Sequence, residues 1–324
     1  MDIVVLCGGL SAERDVSIAS GTMAAAALRR RGHSVSLVDL FFGHEVKELP
    51  AGVSESAPDL ENLRKQKSGP GRIADNIPEI CNACDIVFIA LHGEDGEDGK
   101  IQSLLDLIGV KYTGTGALGS AIAMDKDITK QLFLQNGIKT PRRYSEENAE
   151  FPCVVKPNAR GSSVGVSIVT AEHEYPAALA EAAKYGGVIV EQYIQGRELT
   201  VGILSGRAMP VVEIIPKTGF YDYKNKYQSG MTDKVCPAEI SEELATKLQR
   251  EAERVFEVLK FDVYGRIDFI ADDDGEVWCL EGNTLPGFTP LSLVPKAAET
   301  AGMSYDDLCE TIVYESLKKY GETP

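Results

Sequence analysis

No stretch of the 324 residues holds the roughly 18 consecutive apolar residues that a membrane-spanning helix needs. Positive charge is in short supply: 33 lysines and arginines face 49 aspartates and glutamates, a formal net charge of -16. That field repels polyanions and argues against nucleic acid or an anionic membrane as partner. Any phosphate site has to be a local cluster of lysines and backbone N–H groups. The first residues, Met1-Asp2-Ile3-Val4-Val5-Leu6, lack a basic flank, so no secretory signal is expected. Seven cysteines, at 7, 81, 84, 153, 236, 279 and 309, are odd in number and mostly sit in apolar runs. Buried thiols in a reducing cytoplasm are expected. Cys81 and Cys84 have CxxC spacing, but no second pair and no nearby histidine completes a zinc site, and a thioredoxin-like context is lacking. Internal repeats and low-complexity tracts are absent as well.

What is present is ordinary for a soluble globular chain: 44% hydrophobic and 25% charged residues, enough for a sizeable core. The length predicts two or three domains. Ile3–Leu6 reads as a buried strand, 11–31 as a helix and Val35–Val38 as a second strand, a βαβ opening that implies a parallel sheet. Asp85–Leu91 is another buried strand, ending in His92-Gly93. A helix over 101–108 and a short strand over 111–113 follow, while residues 50–80 read only as variable surface. The character changes near Thr115. A helix is expected over 120–136, strands over 151–157, 166–169 and 188–191, and a helix over 175–185. Gln192–Arg197 reads as a linker. Strands are expected over 199–204, 211–215, 264–270 and 276–280, with helices over 241–259 and 305–319. Ser241 is the expected N-cap, with Glu242 and Glu243 in the first turn where the helix dipole favours them. Residues 216–237 show no period.

Two motifs are set aside. Gly114-Thr115-Gly116-Ala117-Leu118-Gly119 matches G-x-G-x-x-G, the mark of a dinucleotide-binding oxidoreductase. The acid expected about 20 residues on, at the end of a second strand, falls instead within helix. Gly99-Lys100-Ile101 resembles the end of a P-loop, but the serine or threonine is missing and position 94 is glutamate.

The most informative segment is Tyr264–Asn283. Asp274-Gly275 is a hairpin signal. Centring the turn there places Asp268 opposite Glu281 and Arg266 opposite Asn283 on one face. Phe269 then faces Leu280, and Ala271 faces Trp278, on the core side. Opposed carboxylates lie about 5 Å apart at Cβ and repel. A hard divalent cation on carboxylate and amide oxygens offsets that, as Mg²⁺ does with one or two carboxylates plus substrate phosphates. Arg266 is the alternative neutraliser. On the phosphate side, Lys156 ends a buried strand, and the small-residue loop Gly161–Gly165 follows, a lysine beside backbone N–H donors. Lys126 is a second candidate cation. Glu13, in the first turn of the first helix, either complements the dipole or binds an ammonium group in the cleft beyond the strand ends. His92 is similarly a satisfied histidine or a cleft residue.

These pieces coincide, in order and over nearly the whole chain, with a known pattern. Gly8–Arg14 (GGLSAER), Leu91-His92-Gly93 with Gly96–Gly99, Lys156-Pro157 with Gly161–Gly165, Tyr221-Asp222-Tyr223 with Lys226-Tyr227, Gly265–Asp268, and Glu281–Gly287 together resemble the D-alanine–D-alanine ligases of the ATP-grasp superfamily. The resemblance implies an α/β fold of three domains. These are an N-terminal parallel-sheet, Rossmann-like domain (1–114) and two α+β domains (115–191 and 192–324) that clamp ATP. It implies that a D-alanine carboxylate attacks the γ-phosphate of ATP and that a second D-alanine's amine attacks the resulting acyl phosphate. Carried over by motif, Glu13 holds the first ammonium and forms a hydrogen-bonded set with Ser162 and Tyr227. Lys126, Lys156 and Ser163 bind ATP phosphates, Glu191, Gln192, Tyr193 and Ile194 form the adenine hinge, and Glu198 contacts ribose. Asp268, Glu281 and Asn283 hold two Mg²⁺, with Mn²⁺ as an alternative. Arg266 and the Gly287 N–H stabilise the oxyanion. His92, Lys226, Ser292 and Leu293 line the amino-acid subsites. The resemblance also implies a cytoplasmic homodimer working in peptidoglycan precursor synthesis. Tyrosine rather than phenylalanine at 227 goes with D-alanine rather than D-lactate as acceptor. D-lactate or D-serine ligation, and more remotely the oxidoreductase, are the rival activities.

Overall fold

The structure, a computed structural model, describes residues 1–44, 46, 58–67, 69–217 and 230–322. The apolar run at the start forms β1 (Asp2–Cys7), flanked in parallel by β2 (Ser34–Asp39) and β3 (Ile86–Ile89) in the order β2-β1-β3. Helix α1 (Arg14–Arg30) makes the crossover, and its small residues let it lie close. A Cβ on Gly21 would stand 2.6 Å from the Cys7 Cβ. Two short helices, α2 (Leu60–Lys65) and α3 (Ile77–Asn82), lie in the stretch that carries no clear signal in the sequence, and α4 (Lys100–Leu107) follows β3. The strand expected over 111–113 is only a bridge between Val87 and Tyr112.

The single helix expected over 120–136 is two: α5 (Ala117–Met124) and α6 (Lys126–Gln135). Asp125 breaks them, with ψ at 101° and its carboxylate accepting the Ile128 N–H at 3.0 Å, an N-cap inside an apolar period. The break turns Lys126 inward. Ala123, Phe133 and Ile138 bury against the core of the last sheet. Strands β4 (Arg143–Tyr144), β5 (Cys153–Pro157), β6 (Ser167–Val169) and β7 (Val188–Gln192) form an antiparallel sheet in the order β4-β7-β5-β6. It is backed by α7 (Tyr175–Ala183).

The third sheet contains β8 (Arg197–Leu204), β9 (Arg207–Ala208), β10 (Val212–Pro216), β11 (Thr232–Val235), β12 (Tyr264–Ala271) and β13 (Val277–Asn283). Its order is β11-β10-β8-β12-β13, with β9 against β8. Strand β11 lies in the stretch expected to be without period: four residues on a sheet edge alternate too briefly to register. Helix α8 (Glu242–Val258) covers one face with Leu248, Ala252 and Val255, capped by Ser241 as expected. Helices α9 (Leu293–Thr300) and α10 (Tyr305–Lys318) return to the first sheet, so Leu308, Ile312 and Val313 share a core with Val5 and Phe88.

The G-x-G-x-x-G match is structural. Gly119 packs where a Cβ would meet the Lys260 carbonyl at 2.4 Å, so the GTGALG glycines serve a close approach between elements. The seven cysteines are free, and burial pushes the Cys81 thiol up to about 12. Among the described residues no helix is long and apolar enough to cross a membrane.

Candidate active site

The hairpin places its acids as expected. Asp268 pairs with Glu281 and Arg266 with Asn283. Beyond Asp268 the register slips: Phe269 pairs with Cys279, Ile270 with Trp278 and Ala271 with Val277. Leu280 is absorbed in a bulge. The connection is also longer than two residues, because the Asp272 carboxylate accepts from Asp274 N, Glu276 N and Trp278 Nε1 and organises the loop around itself. The core side therefore carries Val277 and Cys279, while Trp278 is half-buried beneath the Lys139 ammonium, 4.1 Å from its ring.

Nor does the repulsion between the acids demand a metal. Arg266 donates from Nε and Nη2 to the two Asp268 oxygens, both at 2.8 Å, and Thr200 Oγ1 donates to Asp268 Oδ1 at 2.6 Å. Lys126 Nζ lies 3.4 Å from Glu281 Oε2. The protein's own cations offset the charge. The donor set still fits a hard divalent ion: two carboxylates and the Asn283 amide, whose oxygen also accepts the Leu285 N–H at 2.9 Å, on one face of a hairpin opening into a cleft. Glu281→Gln is expected to change stability by less than about 1 kcal/mol, since its partner is a partly exposed ion pair. It should raise the Mg²⁺ concentration needed for half-maximal turnover. Unfolding in metal-free buffer and a Mg²⁺ titration check the two halves. An unchanged titration would remove Glu281 from the ligand set.

Lys156 sits on β5 with its ammonium 2.5 Å from Glu191 Oε1 on the neighbouring strand β7. Lys130 approaches the other Glu191 oxygen at 2.6 Å. No role for Lys130 is expected from the sequence. Its signal was the four-residue spacing from Lys126 on α6, which puts both on one face. All three side chains are buried. Burial alone would raise the Glu191 carboxyl, but Lys156 and Lys130 outweigh it and hold it below the usual carboxylate range. Lys126 Nζ donates to the Arg160 carbonyl at 2.8 Å, at the entrance to the Gly161–Gly165 loop. Ser162 and Ser163 both adopt left-handed backbone, φ 52° and 56°, a strained conformation of the kind that clusters at ligand-binding loops.

Glu13 stands at the N-cap of α1 and accepts a hydrogen bond from Ser162 Oγ, so two of the three residues expected to form one set meet. It is wedged between glycines: a Cβ on Gly93 (φ 70°) would lie 2.7 Å from Glu13 Oε2, and one on Gly161 at 3.0 Å. Gly93→Ala is therefore expected to displace the Glu13 carboxylate and raise the KM of the substrate ammonium partner by about tenfold, a loss of one charge-assisted contact. Steady-state kinetics with the donor varied would show it; an unchanged KM would separate Glu13 from the substrate. His92 bonds through Nδ1 to the Leu285 carbonyl and through Nε2 to Ser20 Oγ, both at 2.9 Å. It thus holds the Asn283–Phe288 loop, which carries Gly287, while also lining the cleft. Glu97 is buried beside it. Burial and the Glu13 charge raise its carboxyl against the opposing His92 contact. Ser292 occupies the N-cap position of α9, with Leu293 as the first helical residue, but its hydroxyl turns away from the helix, accepting from Thr289 N at 3.0 Å and lying 2.9 Å from Thr289 Oγ1. Tyr227 and Lys226 lie outside the described residues.

Two cavities result. One, of about 430 Å³, lies between the second and third sheets. Lys156, Ser163, Glu191, Gln192, Tyr193, Ile194 and Glu198 line it, with apolar walls from Val154, Ile168 and Leu280. The other, of about 500 Å³, is lined by Glu13, His92, Arg266, Asn283, Gly287, Ser292 and Leu293. Lys126, Arg160, Gly161, Ser162 and Glu281 line both, so the cavities meet at a phosphate-type loop, two cations and an acid.

The sequence family described as D-ala D-ala ligase N-terminus matches residues 2–115, and the family described as D-ala D-ala ligase C-terminus matches residues 123–314. The chain belongs to the D-alanine–D-alanine ligase family. It is 42% identical over 350 residues to the D-alanine–D-alanine ligase of Pediococcus pentosaceus, covering 99% of both chains. Among solved structures it resembles the Bacillus anthracis D-alanine–D-alanine ligase complexed with ATP, with a TM-score of 0.78, 29% identity and 99% of both chains covered. It also resembles the VanG D-Ala:D-Ser ligase of Enterococcus faecalis, with a TM-score of 0.78, 27% identity, and 97% and 99% of the chains covered. The fold described above is the ATP-grasp fold of that family.

Proposed function

We propose that the chain ligates two D-alanines at the expense of ATP through an acyl phosphate. The observation that carries this reading is the shared wall of the two cavities at Lys126, Ser162 and Glu281: a nucleotide in one can reach a carboxylate in the other. Lys156 and Lys126 offset phosphate charge in a partly dry cleft, where each ion pair is stronger than in water. The N–H groups around Ser162 and Ser163 add donors without adding charge. Apolar walls receive the adenine, with 191–194 as hinge and Glu198 at the ribose. Asp268, Glu281 and Asn283 would hold two Mg²⁺ or Mn²⁺, which supply charge neutralisation for the phosphates.

Glu13 takes the donor's ammonium and, anchored by Ser162, presents its carboxylate to the γ-phosphate. A carboxylate oxygen bonds to phosphorus as the bond to ADP breaks. The acceptor amine then attacks the acyl carbon, and phosphate leaves. Arg266, its guanidinium plane fixed by Nε and Nη2 on Asp268, stabilises the oxyanion beside the Gly287 N–H. Ser292, Leu293 and Lys226 take the acceptor's carboxylate. We further propose that the chain divides at 114 and 191 into three domains and acts as a cytoplasmic homodimer that supplies peptidoglycan precursors.

Phosphate release with single amino acids tests the reading. D-alanine alone should support release and yield D-Ala-D-Ala, while Tyr227→Phe should gain D-Ala–D-lactate synthesis in a mixture. Release that requires D-serine or D-lactate, or none with D-alanine, would replace it with one of the rivals.

A further inference from the structure

The amino-acid cavity carries positive charge that neither the fold nor the residues already assigned account for. Lys234 on β11 and Lys296 on α9 both line it, together with Arg266. Lys296 lies one turn beyond Ser292, on the same helical face. Lys234 Nζ reaches across to the Leu291 carbonyl at 3.1 Å, so its ammonium is held at the mouth of the loop that carries Ser292. Both side chains are half-buried. Among the described residues neither ammonium has a carboxylate within 4.0 Å, whereas Arg266 is matched by Asp268 and Lys126 by Glu281. Asp233 and Glu299 line the same cavity, but Asp233 is directed to Lys217, 3.6 Å away, and Glu299 pairs with neither lysine.

Half-burying two like charges beside a guanidinium costs free energy unless an anion joins them. The cost is visible at Lys234: burial first, then the Arg266 and Lys296 charges, pull its ammonium below the usual lysine range. A bound carboxylate reverses each of these effects. The donor's ammonium belongs at Glu13 and its carboxylate at the phosphate junction, so the surplus charge beside Ser292 faces the other amino acid.

We propose that Lys234 and Lys296 form a cationic pair that binds the acceptor amino acid through its carboxylate and selects acceptors by charge. This deepens the ligation reading and rests on it. Two consequences follow. Acceptor affinity depends on these lysines while donor and nucleotide affinities do not. An acceptor whose carboxylate is capped as an amide is rejected by the wild type, and the rejection weakens when the lysines go.

The test is dipeptide formation at varied D-alanine, resolving the two half-saturation constants, in Lys234→Met, Lys296→Met and the double variant. Each single substitution removes one charge-assisted contact and should raise the acceptor constant by about 10- to 100-fold. The donor and ATP constants should move less than about twofold. Lys234→Arg should recover part of the loss, which a merely structural role for the side chain's stem would not explain. D-alaninamide, tried as acceptor, should lose its disadvantage against D-alanine in the double variant. Unchanged acceptor constants, or equal shifts in all three constants, would overturn the inference while leaving ligation standing. Absence of dipeptide from the wild type would overturn both.

Discussion

Glutamine in place of Glu191 is expected to lower the stability of the protein by about 3–5 kcal/mol, the usual cost of breaking a buried ion pair from one side. The reason is the stoichiometry of the pocket. One carboxylate serves two buried ammonium groups, Lys156 at 2.5 Å and Lys130 at 2.6 Å, and without it both are buried with no counter-charge, Lys130 keeping only the neutral Thr140 hydroxyl and Pro141 carbonyl. Lys156→Ala should cost less stability, because Lys130 keeps its partner, but should weaken ATP binding and slow phosphoryl transfer by removing the clamp itself. The pH dependence follows from the sign of the shift. The folded-state carboxyl lies below its unfolded value, so its contribution is complete above the unfolded carboxylate range, near pH 4.3, and fades as pH falls through the folded value. The Glu191→Gln protein should lack that acid-side decline. Urea unfolding at neutral and acid pH, with an ATP titration of each variant, checks all three statements. A Gln variant within 1 kcal/mol of wild type would mean that the lysines are not held by this charge.

Arg266→Met is expected to reduce kcat by about 10²–10³, the scale of one lost oxyanion donor. Lysine should not restore it. The two N–H contacts to Asp268, both 2.8 Å, fix the guanidinium plane, and a single ammonium cannot hold the acid and reach the oxyanion together. Removal also leaves the Asp268 carboxylate without its guanidinium, with the Thr200 hydroxyl still donating to it, so a loss of stability accompanies the loss of rate. The two effects separate at high Mg²⁺, where an added cation at Asp268 recovers stability but not the rate. Recovery of both would assign Arg266 to charge balance alone.

How far the sequence carries these conclusions varies with the residue. The face shared by Asp268 and Glu281 is legible because strand side chains alternate over any undistorted stretch. The slip two residues later is not, because the Asp272 loop and the bulge at Leu280 are set by hydrogen bonds that leave no period. The α5–α6 break at Asp125 hides inside a continuous apolar pattern, and only the capping bond to Ile128 reveals it. The βαβ opening and the closing helix over 305–319 are long and periodic, and they form where expected, give or take a few residues at the ends, whereas the eight residues of α9 gave no signal. Lys130 and Glu191 meet only through the packing of α6 on the second sheet, a long-range contact that local pattern does not encode. Lys234 sits on a four-residue edge strand within a stretch read as aperiodic, so neither its strand nor its cavity could be anticipated. The assigned residues of the amino-acid site came from ordered motifs, and the geometry adds what the motifs omit: which charge balances which.

The most direct measurement is the fate of oxygen. D-alanine labelled with ¹⁸O in its carboxylate is turned over with ATP, and the released phosphate and the dipeptide are analysed by mass. An acyl phosphate places one carboxylate oxygen between carbon and phosphorus, and attack by the acceptor amine expels it with the phosphate. The account therefore predicts one labelled oxygen in each inorganic phosphate and one retained in the new peptide carbonyl of D-Ala-D-Ala. Phosphate without label, or label in phosphate with no dipeptide formed, would contradict it.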